Sequence, residues 1–398
     1  MKEVLIVNAH WNNRGDEAAL RAIIDSLLRN VPDIHITIIF KDRGDIKQFP
    51  YEGDVSYITV RFLPRYFNIL MGLYSRGVLG GKEIRKTARC IDRADVVIYS
   101  PGGAVISDRF WWRKQLEYLF PIAYAEKNNI PVFFAAPSMG PFKQGRRFRN
   151  HVLESVEAIC VREEISKKQL EIQGISKNVI VTIDSAFLND INMEENEKKY
   201  NGLDSLKRFF KQYEKVIGIT MTDLAWHVEY GKNQEIKEKI KIAFEKYVKW
   251  HENKNIGILL IPQLFGNQND KEYLENFIGS NTYVLSDDLD AYFQQYIISK
   301  VYFVVGMRYH SNIFSAKMGV PFISIVYEEK MRGFIDFAEW SDLSINVKDL
   351  SFENLIQKSN KLEQNYDFYK RLLSEKGKEC KRLAQKTESK MLEIVSKI

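Results

Sequence analysis

Short apolar runs of strand length recur along the first half of the chain as VLIV (4–7), IHITIIF (34–40), VVIY (96–99) and VFFAA (132–136), each followed by a turn and a helical pattern. This alternation predicts a parallel sheet covered on both faces, because each crossover helix must bury its apolar stripe against the strands it connects. After Gly15-Asp16-Glu17, residues Leu20, Ile23, Ile24, Leu27 and Leu28 fall at helical spacing, with Asp16 the predicted N-cap.

The pattern restarts after INMEENEKKYNG (191–202), whose high charge and near absence of apolar residues read as a linker. The second set of strands is VIGIT (216–220), IGILLIP (256–262), VYFVV (301–305) and FISIV (322–326), with helical segments near 234–250, 269–278 and 289–299. Two doubly wound Rossmann-like α/β domains facing across a cleft are the simplest architecture. The expected boundaries are 1–190 for the first domain, 191–202 for the linker, 203–348 for the second domain and 349–398 for a C-terminal helical segment. That last segment carries an apolar stripe through Leu362, Tyr366, Tyr369, Leu373, Cys380, Leu383 and Met391, and is expected to pack along one domain or bridge both.

Composition agrees with a folded chain of this kind. Its 398 residues exceed one ordinary core, and 45% hydrophobic with 28% charged residues is globular. The opening MKEVLIVNAHW has a four-residue apolar run, far short of a signal peptide or of the roughly 20 residues of a membrane span, so a cytoplasmic location is expected. Cys90, Cys160 and Cys380 form no C-x-x-C pair and read as reduced thiols. A net charge of +6 favours anionic ligands. Between Arg61 and Cys90, seven basic residues stand against one acid, interleaved with aromatic and aliphatic side chains. That mixture suits peripheral contact with the inner face of the plasma membrane or a lipid-linked substrate, and equally an ordinary helical pair with solvated cations.

Ligands of open parallel sheets bind beyond the carboxyl ends of the strands, so polar residues there carry the functional reading. Five loops qualify. NAHWNNRGDEAAL (8–20) holds Gly15, which allows tight backbone approach, and Asp16 at the helix mouth. SPGGAVISDRF (100–110) offers Gly102 and Gly103, whose amides can face an oxyanion, and Asp108. APSMGPFKQGRRFR (136–149) couples a turn to Lys143, Arg146, Arg147 and Arg149, which either meet phosphate or form a solvated first helical turn. In CVREEIS (160–166), Arg162 either forks onto a carboxylate or phosphate of a ligand or pairs internally with Glu163, Glu164 or Asp184. In VVGMRYHSNIF (304–314), Arg308 and His310 are two apart in an expected extended segment and so should share a face, with Ser311 available to cap the following helix.

Several chemistries lack their signatures. There is no G-x-G-x-x-G, no P-loop, no H-E-x-x-H and no G-x-S-x-G, and no nucleic-acid motif accompanies the charge; neither a metal nor a cofactor is expected.

In order, RGDEA (14–18), SPGGAVISD (100–108), AAPSMGP (135–141), VREEISKKQLEIQGI (161–175), TIDSAF (182–187) and GMRYHSNIFSAKMGVPFISIVYEEKMRGF (306–334) resemble the polysaccharide pyruvyl transferase family. The resemblance spans about residues 1–340 and implies a GT-B-like fold. It also implies transfer of a pyruvyl group from phosphoenolpyruvate to two hydroxyls of a sugar, in a cell-surface polysaccharide or its lipid-linked precursor, with a ketal formed and phosphate released. The family's R-x-H motif maps onto Arg308 and His310, its Asp after the glycine run onto Asp108, and its early Gly-Asp onto Gly15 and Asp16. Arg162 matches the arginine before the S-x-x-x-L helix.

Two departures are visible: Pro101-Gly102-Gly103 stands where the family often has three glycines, and AAPSMGP where it usually has G-Q-G-I-G-P. On this resemblance His310 is expected as general acid and Asp108 or Asp16 as base or orienting carboxylate. Arg308 and Arg162 are expected to grip the donor anion, with Gly15, Gly102, Gly103 and Ser311 lining its site. A GT-B-like glycosyltransferase using a nucleotide sugar and a non-catalytic glycan-binding relative stand as alternatives.

Overall fold

The computed structural model describes residues 1–41, 46, 49–60, 73, 81–143, 146–266 and 269–398. Most of the basic, aromatic stretch 61–90 lies outside the described residues. Residues divide into two compact units. The first comprises Met1–Trp11, Asp16–Asn189 and Lys381–Ile398, and the second Asn12–Gly15 and Asp190–Cys380.

The first unit holds seven parallel strands: β1 (Lys2–Ala9), β2 (Ile34–Phe40), β3 (Val55–Thr59), β4 (Val96–Tyr99), β5 (Val132–Ala135), β6 (Ala158–Val161) and β7 (Val179–Val181). Their order is β3-β2-β1-β4-β5-β6-β7. The second holds six: β8 (Lys215–Thr220), β9 (Ile256–Leu260), β10 (Thr282–Val284), β11 (Phe303–Gly306), β12 (Phe322–Val326) and β13 (Ser344–Asn346), ordered β10-β9-β8-β11-β12-β13. Every pairing between these strands is parallel. The strand order reverses between β1 and β4 in one sheet and between β8 and β11 in the other, which are the places where an open parallel sheet binds its ligand.

The central strands are the continuous apolar runs seen in the sequence, because both of their faces are covered; β4, β5, β11 and β12 are buried at every residue. The edge strands β3, β7 and β10 are short and partly exposed, so they leave no long apolar run to read.

Where composition suggested a linker, Met193–Asn201 is a helix belonging to the second unit. Asn192 caps it by accepting from Glu195 N–H, and Glu194–Lys198 and Glu195–Lys199 pair one turn apart at 2.7 and 2.8 Å. A polar segment becomes helical here through its caps and its charge spacing rather than through an apolar stripe. The C-terminal Tyr366–Ser396 helix has residues in both units. Its first turns stack Tyr366 on Tyr302 in the second unit, with ring centroids 4.5 Å apart. Its last turns receive Ser26 Oγ on Glu388 and pair Thr387 with Thr182 in the first.

The first helix, Arg14–Asn30, starts earlier than the sequence suggests. Asn13 is the residue that accepts from the Gly15 N–H, at 2.9 Å, so Asp16 sits inside the first turn instead of capping it. An acid there still favours the helix, since the first turn carries the positive end of the helix dipole.

Candidate functional site

In the second unit, the residues at the β8/β11 reversal are built on one another. Gly306 ends β11, Arg308 is the extended residue before the Tyr309–Met318 helix, and His310 lies in its first turn. Arg308 and His310 therefore do not share a face as alternate strand residues would; the helix begins between them, its cap at Arg308 three residues before the Ser311 cap expected from sequence. Ser311 works within the first turn, its Oγ donating to Arg308 O at 2.6 Å and lying 2.7 Å from Thr220 Oγ1 at the end of β8. Gly306 has to be glycine: a Cβ there would fall 2.0 Å from Asn312 Oδ1 and 2.8 Å from Ser311 Oγ.

Arg308 is 7% exposed. Its Nε donates to Asp270 Oδ2 at 3.0 Å and its Nη2 to Asp270 Oδ1, a forked pair that holds the guanidinium plane in one orientation. Asp270 Oδ2 also accepts from the backbone N–H groups of Gln263 and Leu264 after β9. Burial acts to lower the Arg308 pKa, but Asp270, then Tyr327 and Glu328, outweigh it and raise the value. Trp226 lies under the cation at 5.5 Å. Behind it, Glu328 pairs with Lys330 at 2.6 Å and approaches His227 Nε2 at 3.8 Å, while His227 Nδ1 accepts from the N–H groups of Glu229 and Tyr230.

His310 is buried, its ring edge-on to Tyr309 at 4.9 Å. Gly15 packs directly against it: a Cβ at residue 15 would lie 1.8 Å from both Cγ and Nδ1 of the imidazole. The close-approach reading of Gly15 thus has a specific partner, 295 residues away in sequence. The neighbouring Arg14 donates from Nη2 to Asp287 O at 2.8 Å and covers the Phe265 ring at 4.6 Å.

In the first unit, the loops after β4 and β5 are laced together: Ser138 N–H donates to Gly102 O and Gly140 N–H to Ile106 O. Gly102 has φ +155, and Asp16 Oδ1 lies 3.6 Å from where its Cβ would be, so the glycine loop and the first turn of the Arg14–Asn30 helix are neighbours.

Two residues expected to act on substrate are tied into these loops. Asp108, with a side chain 3% exposed, accepts from Gln115 Nε2 at 2.9 Å, from Lys143 N–H at 2.5 Å and from Arg149 Nη1 at 2.8 Å. Burial pushes its pKa up, but these three donors together draw it below the usual carboxylate value. An acid so fully engaged is suited to anchoring a loop rather than to taking a proton. Arg162 is completely buried; its Nη1 donates to Asp184 Oδ2 at 2.6 Å and its Nε to Ser138 Oγ at 2.7 Å, with Glu163 3.6 Å away. The guanidinium thus makes the internal pairing with Asp184 and Glu163 that the sequence offered as one of two readings, and it braces the AAPSMGP loop through Ser138. Glu163 adds to the brace by accepting from Ser138 Oγ and Ser166 Oγ, and Ser166 Oγ accepts from Met139 N–H.

Sequence reasoning passed over Asp270, Thr220, Trp226 and Glu328, and gave Arg149 no role apart from its basic cluster. Asp270 had a usable signal, a carboxylate opening a helix just past a buried strand. Within the basic cluster nothing set Arg149 apart: Lys143, Arg146 and Arg147 are exposed as a solvated turn would be, and Arg149 alone is buried. Among the described residues, no group of three or more His, Cys, Asp and Glu could hold a metal ion. No described helix is long and apolar enough to cross a membrane.

Solved structures of the same two-sheet kind include the UDP-GlcNAc 2-epimerase of Neisseria meningitidis bound to UDP-GlcNAc, with TM-score 0.61 and 15% identity over all of both chains. The UDP-GlcNAc 2-epimerase of Methanocaldococcus jannaschii has TM-score 0.59 and 16% identity, covering 90% of this chain and 92% of that one. Anabaena Alr3699/HepE, in complex with UDP and glucose, has TM-score 0.61 and 12% identity over all of both chains. At these identities the likeness is one of fold, and it is the GT-B-like fold the sequence led us to expect. In sequence, the chain is similar to the amylovoran biosynthesis protein AmsJ of Erwinia amylovora, 24% identical over 406 residues that cover 92% of this chain and 93% of AmsJ. The profile of the polysaccharide pyruvyl transferases matches residues 13–329, which takes in Gly15, Asp270, Arg308 and His310 alike, and the chain belongs to that family.

Proposed function

We propose that this protein transfers a pyruvyl group from phosphoenolpyruvate to two hydroxyls of a sugar, in a cell-surface polysaccharide or its lipid-linked precursor. The observation that carries the reading is the packing of Gly15 on His310 beside the Arg308–Asp270 fork, at a strand-order reversal in a chain of this family.

The chemistry sets what the residues must do. Two sugar hydroxyls each lose a proton and form a C–O bond to C2 of the donor. One proton ends on the methylene carbon, which becomes a methyl group, and the other leaves with phosphate, whose C–O bond breaks. Arg308, always charged and held flat by Asp270, suits the carboxylate or phosphate of the donor. His310, an imidazole fixed by Gly15 and Tyr309, is the proton carrier for the methylene carbon. Asp16 follows Gly15 on the same helix and is the candidate base for a hydroxyl. Gly102, Gly103 and Ser311 are candidate lining residues, while Asp108 and Arg162 keep the loops in place.

The test is titration calorimetry with phosphoenolpyruvate beside a panel of UDP-sugars, on wild type and on Arg308→Lys. Binding of phosphoenolpyruvate that weakens at least tenfold in the variant supports the reading. Binding of a UDP-sugar alone would replace it with glycosyl transfer.

A further inference from the structure

We propose that the first unit carries a docking surface for an anionic phospholipid bilayer, formed by the described residues 109–112 and 114 of one segment and 143 and 146–148 of another. This surface is independent of the identity of the donor. Trp111 is 72% exposed and Phe148 40% exposed, large aromatic side chains at the surface of a unit whose other large apolar residues are mostly in its core. Around them Arg109, Lys114, Lys143 and Arg146 are exposed, and neither segment contains an acid after Asp108.

The two segments are presented together because Asp108 buckles them. Its carboxylate accepts from Lys143 N–H and Arg149 Nη1, its own N–H donates to Pro141 O at 2.9 Å, and Arg146 Nε lies 3.6 Å from it. The Asp108 side chain is thus 3% exposed and already paired with cations, while Arg109, Lys114, Lys143 and Arg146 are exposed. Both helices that start here, Trp112–Lys127 and Arg147–Glu154, lack an acid in the first turn, so cations crowd the positive ends of two helix dipoles. Such crowding is unfavourable in isolation and is relieved by a negatively charged surface. Indole and phenyl rings that reach the headgroup level, ringed by lysine and arginine, are the chemistry of an interfacial contact.

The experiment is co-sedimentation of the full chain with vesicles of phosphatidylcholine alone or with phosphatidylglycerol added. Binding is expected to the anionic vesicles, to weaken with salt, and to be absent with phosphatidylcholine alone. Each cation near such a surface is worth about fivefold in partitioning, so Lys143→Glu with Arg146→Glu should reduce binding by more than tenfold. Trp111→Ala with Phe148→Ala should do so too, even in low salt. Lys249→Glu with Trp250→Ala alters the exposed tryptophan and lysines of the second unit and should leave binding within twofold. Circular dichroism confirms that each variant is folded, and phosphoenolpyruvate titration of the same variants reads the donor question separately. The proposal falls if wild type ignores anionic vesicles, if the loop variants bind as well as wild type, or if only the second-unit variant loses binding. It also falls if the protein binds soluble polygalacturonate and not vesicles, since the loops would then serve a glycan polyanion.

Discussion

Replacing Gly15 by alanine adds one methyl group at the tightest contact in the candidate site. The new carbon would sit 1.8 Å from His310 Cγ and Nδ1 and 2.5 Å from His310 Cβ, where ordinary contact begins near 3.4 Å. The imidazole, or the first turn of the helix that carries Gly15, must therefore move by about 1.5 Å. His310 is buried with its ring edge-on to Tyr309, so a shift of the ring disturbs that packing. Overpacking of this kind costs about 1–3 kcal/mol of stability, and a reactive group displaced by about 1 Å costs on the order of 10²-fold in rate. The assay is phosphoenolpyruvate-dependent phosphate release in the presence of acceptor, with urea unfolding alongside. The expected result is a rate reduced roughly 100-fold in a protein destabilised by about 1–3 kcal/mol. Combining Gly15→Ala with His310→Ala should recover part of the stability, because the 1.8 Å contacts vanish while the 2.5 Å contact to Cβ remains. A Gly15→Ala protein with wild-type stability and turnover would refute the reasoning.

Three further outcomes follow from the same geometry. Asp184→Asn removes the nearer of the two carboxylates paired with the buried Arg162, leaving Glu163 at 3.6 Å, and should cost up to about 3–5 kcal/mol in urea unfolding, without altering phosphoenolpyruvate affinity in the folded fraction; a loss of affinity at unchanged stability would make Arg162 a ligand residue. Because the Asp108 pKa is lowered on folding, its stabilisation is present above the unfolded value of about 4 and is lost as pH falls through the lower folded value. Asp108→Asn should flatten that acid limb of stability while leaving the pH–rate profile near neutrality unchanged, whereas a large loss of rate together with the acid limb of the rate profile would make Asp108 the catalytic base. Arg308→Lys keeps the charge but not the fork to Asp270, so phosphoenolpyruvate affinity should fall at least about tenfold in calorimetry; wild-type affinity would show that the planar fork is not what holds the donor.

Much of the architecture is local information. Val96–Tyr99, Val132–Ala135 and Phe322–Val326 are apolar at every position because both faces of a central parallel strand are covered, so each announces itself without reference to the rest of the chain. Asn233 and Asp290 cap their helices in the same self-contained way. The motif order that led to the family also lies in the sequence, down to Gly15, Arg308 and His310.

What each polar residue does there was decided by partners far along the chain. Arg162 and Arg308 look alike in sequence, each an arginine just beyond a buried strand. One is locked beneath a loop by Asp184, and the other is aligned at the strand-order reversal by Asp270. Asp108 reads as a catalytic carboxylate in sequence, and only the fold brings Arg149, 41 residues later, onto it. Periodicity reports burial because burial is repeated at every turn or pleat. An ion pair or a 1.8 Å approach is made once, between segments that only the folded chain brings together.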